Sequence, residues 1–550
     1  MALLLDLYGF LSVLLRGGVL TAQALALGGV VFVLAIAEPL AAELGPSGAA
    51  ARERCRRLLR GSALFAAGAA ALSLSVEVAI LASTLGASLA ESLAARFALA
   101  GLAQGVAALA LVPLAGRESR GGRLGLLGAG LALLAASSAT THAAARLDAR
   151  GALLAATALH QLAAAAWIGG LPYLLVALAS CRGGGAWRRI AARFSGLALA
   201  GVAALLASGL AMSLRYVGSI EALTGTAYGV MVCVKALLLA GLLALGGANL
   251  LATQRRRRDP QAAGRRLRRF AEVELGVGIT VLFTAASLVS LPPAVDLTSD
   301  RVSLAEIAER LAPRWPSLRS PDPASLGFQQ RQAQLDEQAR AGRSRAAQAW
   351  VPGGGTPPPR NAANIAWSEF NHHWAGVAVL VIGLLALAER TGRVPWARHW
   401  PLLFLPLAGF LMIRDDVESG VYGGVGALAI LRDPEFVQHR ILYLLVAAFG
   451  LFEWIVRTGR LRASAAALAF PLLTAIAAGL LLAHSHAISN VKELLLIEIT
   501  HVPLALLGIA AAWARWLELR LEPPGGRLAA WVWPLCFTGV GVVLLLYRES

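Results

Sequence analysis

Long apolar stretches separated by short polar ones recur along the chain from Leu11 to Tyr547. A helix needs roughly 17–25 residues to cross hydrocarbon. The apolar runs predict helices near 9–40, 61–86, 97–115, 124–144, 152–179, 194–214, 228–252, 271–292, 373–389, 400–413, 438–456, 465–483, 493–516 and 528–547, the run at 400–413 being short for a crossing. A polar stretch over 296–371, carrying Gly353-Gly354-Gly355 and Pro357-Pro358-Pro359, separates the first eight runs from the last six. The expected fold is therefore all-α, a polytopic transmembrane bundle of about fourteen helices in two bundles: 1–295, the polar loop 296–371, and 372–550. Inside the loop, Ser303 to Leu311 predicts a short amphipathic helix, with Ser303 and Glu306 at capping-box spacing.

Positive charge sets the orientation. Arginines crowd every second connection: Arg52 to Arg60, Arg117 to Arg123, Arg182 to Arg193, Arg255 to Arg269, Arg390 to Arg398, Arg457 to Arg462 and Arg515 to Arg527. By the positive-inside rule these connections face the cytoplasm, which places both termini and the 296–371 loop outside. With 57% hydrophobic and only 15% charged residues, a soluble domain is excluded. The net charge of +17 follows from the loop arginines and needs no nucleic-acid partner, because anionic lipid accounts for it. The start lacks a basic n-region and its apolar stretch is too long for a cleavable signal peptide. The four cysteines, Cys55, Cys181, Cys233 and Cys536, form no C-x-x-C pair, so neither a disulfide framework nor a thiolate metal site is indicated.

Eight of the nine histidines fall in the predicted outward halves; His399 is the exception. His142 closes the fourth run and His160 lies inside the fifth, where Trp167 is two turns further along on the same face and Gly169-Gly170 permit close helix approach. A second group is denser. His484 and His486 end the twelfth run, Glu498 and His501 share one face of the thirteenth, Glu369 stands ahead of His372 and His373 at the ninth, and Glu435 is four residues from His439. A Glu-x-x-His spacing is one way helical bundles present a carboxylate and an imidazole to a metal. An interfacial polar residue or a helix-packing hydrogen bond accounts equally well for any one of them. The candidate metal ligands are thus His142, His160, His372, His373, His439, His484, His486, Glu498 and His501. Thr141-His142-Ala143 followed by His160 echoes Ser485-His486-Ala487 followed by His501, the pattern of a weak internal repeat. Among the other intramembrane charges, Lys235 is expected to partner Glu77, with Arg16 facing protein or water.

His160 to Leu171, with its H…W-x-G-G-L pattern, resembles the bacterial copper-resistance protein D family. Arg193-Phe194-Ser195-Gly196-Leu197, the Ser208-Gly209 step, Thr226-Ala227-Tyr228-Gly229 followed by Lys235, and Ser290-Leu291-Pro292-Pro293 are similar to that family's core in the same order, over roughly residues 10–295. The last six helices resemble an extension of longer members. The resemblance implies a non-enzymatic bacterial inner-membrane protein that transports or handles copper alongside a periplasmic copper chaperone, with His142 and His160 at family histidine positions. A separate chaperone would dock outside, on the acidic residues Asp415, Asp416, Glu418, Asp433 and Glu435. With only four methionines, thioether coordination gives way to imidazole, which also suits Cu(II). Two alternatives stay open: a b-type cytochrome holding haem between paired histidines, and a His/Glu metalloenzyme using Glu369 and Glu498.

Overall fold

The computed structural model describes residues 2–181, 186–255, 260–299, 301–326, 362–418, 434–461, 463, 465–483 and 491–549. Those residues form helices and turns with no strand among them, and twelve of the helices are long and apolar enough to cross a membrane. The chain divides into two compact units, one of Phe10–Arg301 with Ala483–Ser485, the other of Met1–Gly9, Val302–Leu482 and His486–Ser550.

The first unit contains α1 (Leu11–Glu43), α2 (Gly45–Leu85), α3 (Arg96–Leu114), α4 (Arg120–Ala139), α5 (Arg150–Ser180), α6 (Ala186–Tyr216), α7 (Ala227–Arg255) and α8 (Pro260–Ser290). Several arginines assigned to loops prove to be helical. Arg52, Arg54, Arg56, Arg57 and Arg60 lie on α2, and Arg188, Arg189 and Arg193 on α6. Arginine is a good helix former, so a helix does not stop where hydropathy does. Arg56 is buried against Glu38 (2.5 Å) and donates to the carbonyls of Ala115 and Arg117, closing the otherwise unpaired end of α3.

Helices in lipid gain nothing from hydrophobic burial against one another and associate through close packing and hydrogen bonds. The tightest approach is between α1 and α5. A Cβ on Gly169 would collide with the Ala24 carbonyl, and one on Gly28 with the backbone of Ala165 and Gly169. At this contact α5 widens into a π-helical turn, Ala165–Gly169, which buries Trp167. The next turn of α5 is pinned by Tyr173, whose hydroxyl lies 3.1 Å from the Leu25 carbonyl and 3.0 Å from the Ser62 hydroxyl.

The second unit holds the short helix α9 (Leu304–Leu311), then α10 (Ala362–Arg390), α11 (Phe404–Glu418), α12 (Pro434–Arg457), α13 (Ala469–Ala483), α14 (Val491–Arg520) and α15 (Arg527–Leu545). The capping box expected at Ser303 is present on α9. It, together with Lys492, holds the Glu306 carboxyl down to about 2. The apolar run at 400–413 is not one helix: Pro395–Leu403 is 3-10, and α11 begins only after Pro401, which cannot supply an interior backbone donor. α10 starts well before the apolar run at 373, so His372 and His373 sit within a helix rather than at its mouth. α10 and α15 approach through Gly376, Gly383 and Gly541, each facing partner backbone.

The core of this unit is aromatic: Trp400, Phe404, Phe470 and Trp533, with Trp400 and Phe470 5.8 Å apart edge to face. One end closes with an ionic knot. Arg390, Arg457 and Arg515 surround the Trp533 ring at 5.5, 5.3 and 5.5 Å. Glu389 pairs with Arg457 (2.8 Å), Glu453 with Arg457 (2.7 Å), and Glu518 with both Arg515 (2.6 Å) and Arg390. Trp400 donates to Glu389 and Trp533 to Glu518.

Substituting Gly169→Ala forces α1 and α5 apart and costs about 1–3 kcal/mol. Gly68→Ala, a helical position with open space around its Cα, leaves stability unchanged. Thermal unfolding of the two variants in detergent compares them directly.

Candidate functional site

Two motifs of the first unit, Ser208-Gly209 and Lys235, bear on His160. The ring comes from α5, ten residues after Arg150, about 15 Å along the helix. Ser208 on α6 directs its own hydroxyl proton to the Ala204 carbonyl (2.6 Å) and so accepts from Nδ1–H of His160 at 3.0 Å. Gly209 borders the same ring; a methyl there would lie 3.6 Å from Cε1. Lys235, from α7, acts electrostatically on His160. The expectation that Lys235 partners Glu77 is corrected: Glu77 accepts from Ser73 (3.0 Å) and interacts with Arg16. Arg16 in turn donates to the Thr140 carbonyl at 3.1 Å.

Glu274 on α8 completes this neighbourhood. It is a buried carboxylate that accepts hydrogen bonds from Trp167 and Asn249. Motif reading passed over Glu274, although an ionisable residue inside a predicted span was the signal that could have found it. Next along α5 from His160, Gln161 joins Gln23, Gln104, Ser137 and Ser138 in one network of amides and hydroxyls drawn from four helices.

His142 lies just past α4, on a one-turn helix His142–Ala145. Its Nε2 meets the Val289 carbonyl at 2.6 Å, so Nε2 carries the proton. His142 and His160 are therefore anchored to different helices, α8 and α6. Arg146 beside it pairs with Asp296 at 2.7 Å, and His142, Arg146, Asp296, Ala145 and Pro293 line a cleft of about 280 Å³.

In the second unit, His372 and His501 come together with Tyr547. The two imidazoles are 6.4 Å apart edge to face, and Tyr547 stacks on His372 at 3.9 Å while meeting His501 at 5.7 Å. Each imidazole donates Nδ1–H to the carbonyl one turn earlier, His372 to Ser368 and His501 to Ile497, both at 2.9 Å. Fixing the proton on Nδ1 puts the lone pair of each ring on Nε2. Glu549 binds this group through Ser368 (2.5 Å) and the Tyr547 hydroxyl (2.9 Å), and its backbone N–H reaches Glu369 at 3.2 Å. Neither Tyr547 nor Glu549 carries a motif, and only the fold brings them here.

His373, next in sequence, is different. It is buried, its Nδ1 accepts from the Ser317 N–H at 2.9 Å, and its Nε2–H donates to the Tyr547 carbonyl at 2.9 Å. Both nitrogens are committed to holding backbone. His439 faces Asp415 at 3.4 Å, and Arg440 pairs with Asp416, so two carboxylates of the expected chaperone-docking segment already have basic neighbours. Glu498 is buried one turn before His501. His484, His486, Asp433 and the side chains of Glu418 and Glu435 lie outside the described residues. At the arginine end, His399 accepts from the Trp454 indole at 2.8 Å. Among the described residues, no group of three or more His, Cys, Asp or Glu side chains is close enough together to hold a metal ion.

Fold and site define a polytopic helical membrane protein with imidazoles and carboxylates inside its spans. Residues 188–288 match the copper resistance protein D family, so the chain carries a segment of that family from α6 to the end of α8. That segment supplies Ser208, Gly209, Lys235 and Glu274, the residues gathered around His160 and Trp167. The chain is 34% identical over 142 residues to the copper transport protein CutJ of Bacillus subtilis (strain 168), an alignment covering 24% of each protein. It thus spans about a quarter of the length of that curated relative. No solved structure matches.

Replacing His373 with alanine removes two buried hydrogen bonds and lowers stability by about 1–3 kcal/mol. Denaturant or thermal unfolding in detergent should show this loss for His373→Ala and a smaller one for His372→Ala.

Proposed function

We propose that this protein handles copper in a bacterial inner membrane, taking the ion up through imidazole nitrogens and passing it across or along the bilayer without catalysing a reaction. The observation that carries this reading is the shared tautomer of His160, His372 and His501. Each gives Nδ1–H to a fixed oxygen, which leaves the Nε2 lone pair as the donor. Metal-ligating histidines use the same arrangement, in which the outer hydrogen bond orients the ring and raises its basicity. The copper-related family segment supports the reading because it provides the Ser208 oxygen that sets the His160 tautomer.

Copper is the cargo here, and its soft-to-borderline character suits imidazole in a chain with few thioethers. His160 forms the first-unit site, with Ser208 as its positioning residue. His372 and His501 form the second-unit site, with Glu498 one turn away as an additional oxygen donor. His142, His439, His484 and His486 serve as outer-side capture ligands, and His373 holds backbone. The histidine ends of both units face the periplasm, where a separate copper chaperone delivers or receives the ion.

Metal analysis and an absorption spectrum of the purified chain test the proposal. Copper should be retained, with no Soret band. The double variant His372→Ala/His501→Ala and the single variant His160→Ala should each lose copper, while His373→Ala keeps it per folded molecule. Ser208→Ala should weaken binding by about 10-fold or more while the protein remains folded, as loss of an outer-shell partner does. A red protein whose Soret band disappears with His160 or His501, or copper retention indifferent to all these changes, overturns the reading.

A further inference from the structure

The helix α9 leaves most of its apolar side chains uncovered. Two of its polar side chains face the protein: Glu306 pairs with Lys492 at 2.9 Å, Arg310 donates to the Glu549 carbonyl, and both are half-buried, whereas Glu309 is exposed. Of its apolar side chains only Ile307 is half-buried, and the rest face away. Leu304 is 67% and Leu311 56% exposed, Ala308 lies between them on the same stripe, and the stripe runs on to Trp315, which is 97% exposed. A helix beside water would present the opposite face, so this orientation calls for an apolar neighbour.

The position of α9 identifies that neighbour. Lys492 stands one turn before Leu495, where the apolar span of α14 begins, so the Glu306–Lys492 pair fixes α9 at the level where hydrocarbon gives way to headgroups. Past α9, Trp374 of α10, itself 40% exposed, donates its indole N–H to the Leu318 carbonyl at 3.3 Å and holds the following segment at the same level. Exposed Arg314 and Arg319 flank Trp315 and Leu318. An apolar stripe ending in tryptophan and bordered by arginines matches the interface of a bilayer that carries anionic phospholipid.

We propose that α9 and the Trp315 segment form an interfacial membrane anchor, with Leu304, Leu311 and Trp315 seated among phospholipid headgroups and upper acyl chains and with Arg314 and Arg319 on lipid phosphates. The anchor ties the connection between the two halves of the sequence to the membrane plane. Through Glu306–Lys492 and Arg310–Glu549 it is coupled to the helix that carries His501 and to the segment that carries Tyr547.

The test uses the full chain with its four cysteines replaced by alanine, a cysteine at Leu311 or at Ala308 bearing a bimane label, and nanodiscs containing phosphatidylglycerol. Nitroxide at an upper acyl position of the lipid should quench both labels about twofold, and aqueous iodide should quench them little, as a seat ~5–10 Å into the headgroup and acyl boundary requires. Strong iodide quenching at both positions would mean that α9 stands in water and would overturn the proposal. Protection from both quenchers would mean that protein covers the stripe, a second copy or another partner, and would overturn it equally. The outcome does not depend on whether copper binds.

Discussion

The contact between Gly28 of α1 and Gly169 of α5 leaves no space for a side chain on either helix, and the first unit is organised around it. Two helices that meet backbone to backbone cannot rotate about their axes without collision, so the contact sets the face that α5 turns toward α6. That face bears His160. The π-helical turn at Ala165–Gly169 shifts the register of everything beyond it, which brings Trp167 to Glu274 on one side and Tyr173 to Ser62 on the other. The position of the His160 ring is thus set by small residues at a helix contact that the ring itself does not touch.

In the second unit the imidazoles are positioned by different means. Here the imidazoles are oriented by their own helices, through carbonyls one turn back, and are packed by a tyrosine supplied from the far end of the chain. His373 acts as the fastener for that tyrosine, since its Nε2–H holds the Tyr547 carbonyl. Two adjacent histidines therefore divide the work, one packed against His501 and Tyr547 and one holding backbone.

Much of the architecture was legible as hydropathy. Apart from the run at 400–413, which is split, the apolar runs fall on helices, and the Ser303 capping box forms as its spacing indicates. Of the family motifs, the Ser208-Gly209 step lies beside the His160 ring and Lys235 acts on it electrostatically. What hydropathy could not show was where helices end. Arginines on α2 and α6 prolong helices past the apolar limit, and α10 begins early enough to bury His373. Nor could spacing separate His372 from His373, because the difference lies in Ser317 and Tyr547, both distant in sequence. The charge of Glu274 inside a span was visible in the sequence, but its partners Trp167 and Asn249 come from other helices and were not.

The knot around Trp533 has an electrical meaning. Its three guanidinium groups face three carboxylates, so the formal charges of Arg390, Arg457 and Arg515 cancel those of Glu389, Glu453 and Glu518. A resting potential does work of about 2.3 kcal/mol per 100 mV on each uncompensated charge that crosses the membrane, and on a neutral assembly it does almost none. Membrane voltage therefore exerts almost no net force on this end of the bundle.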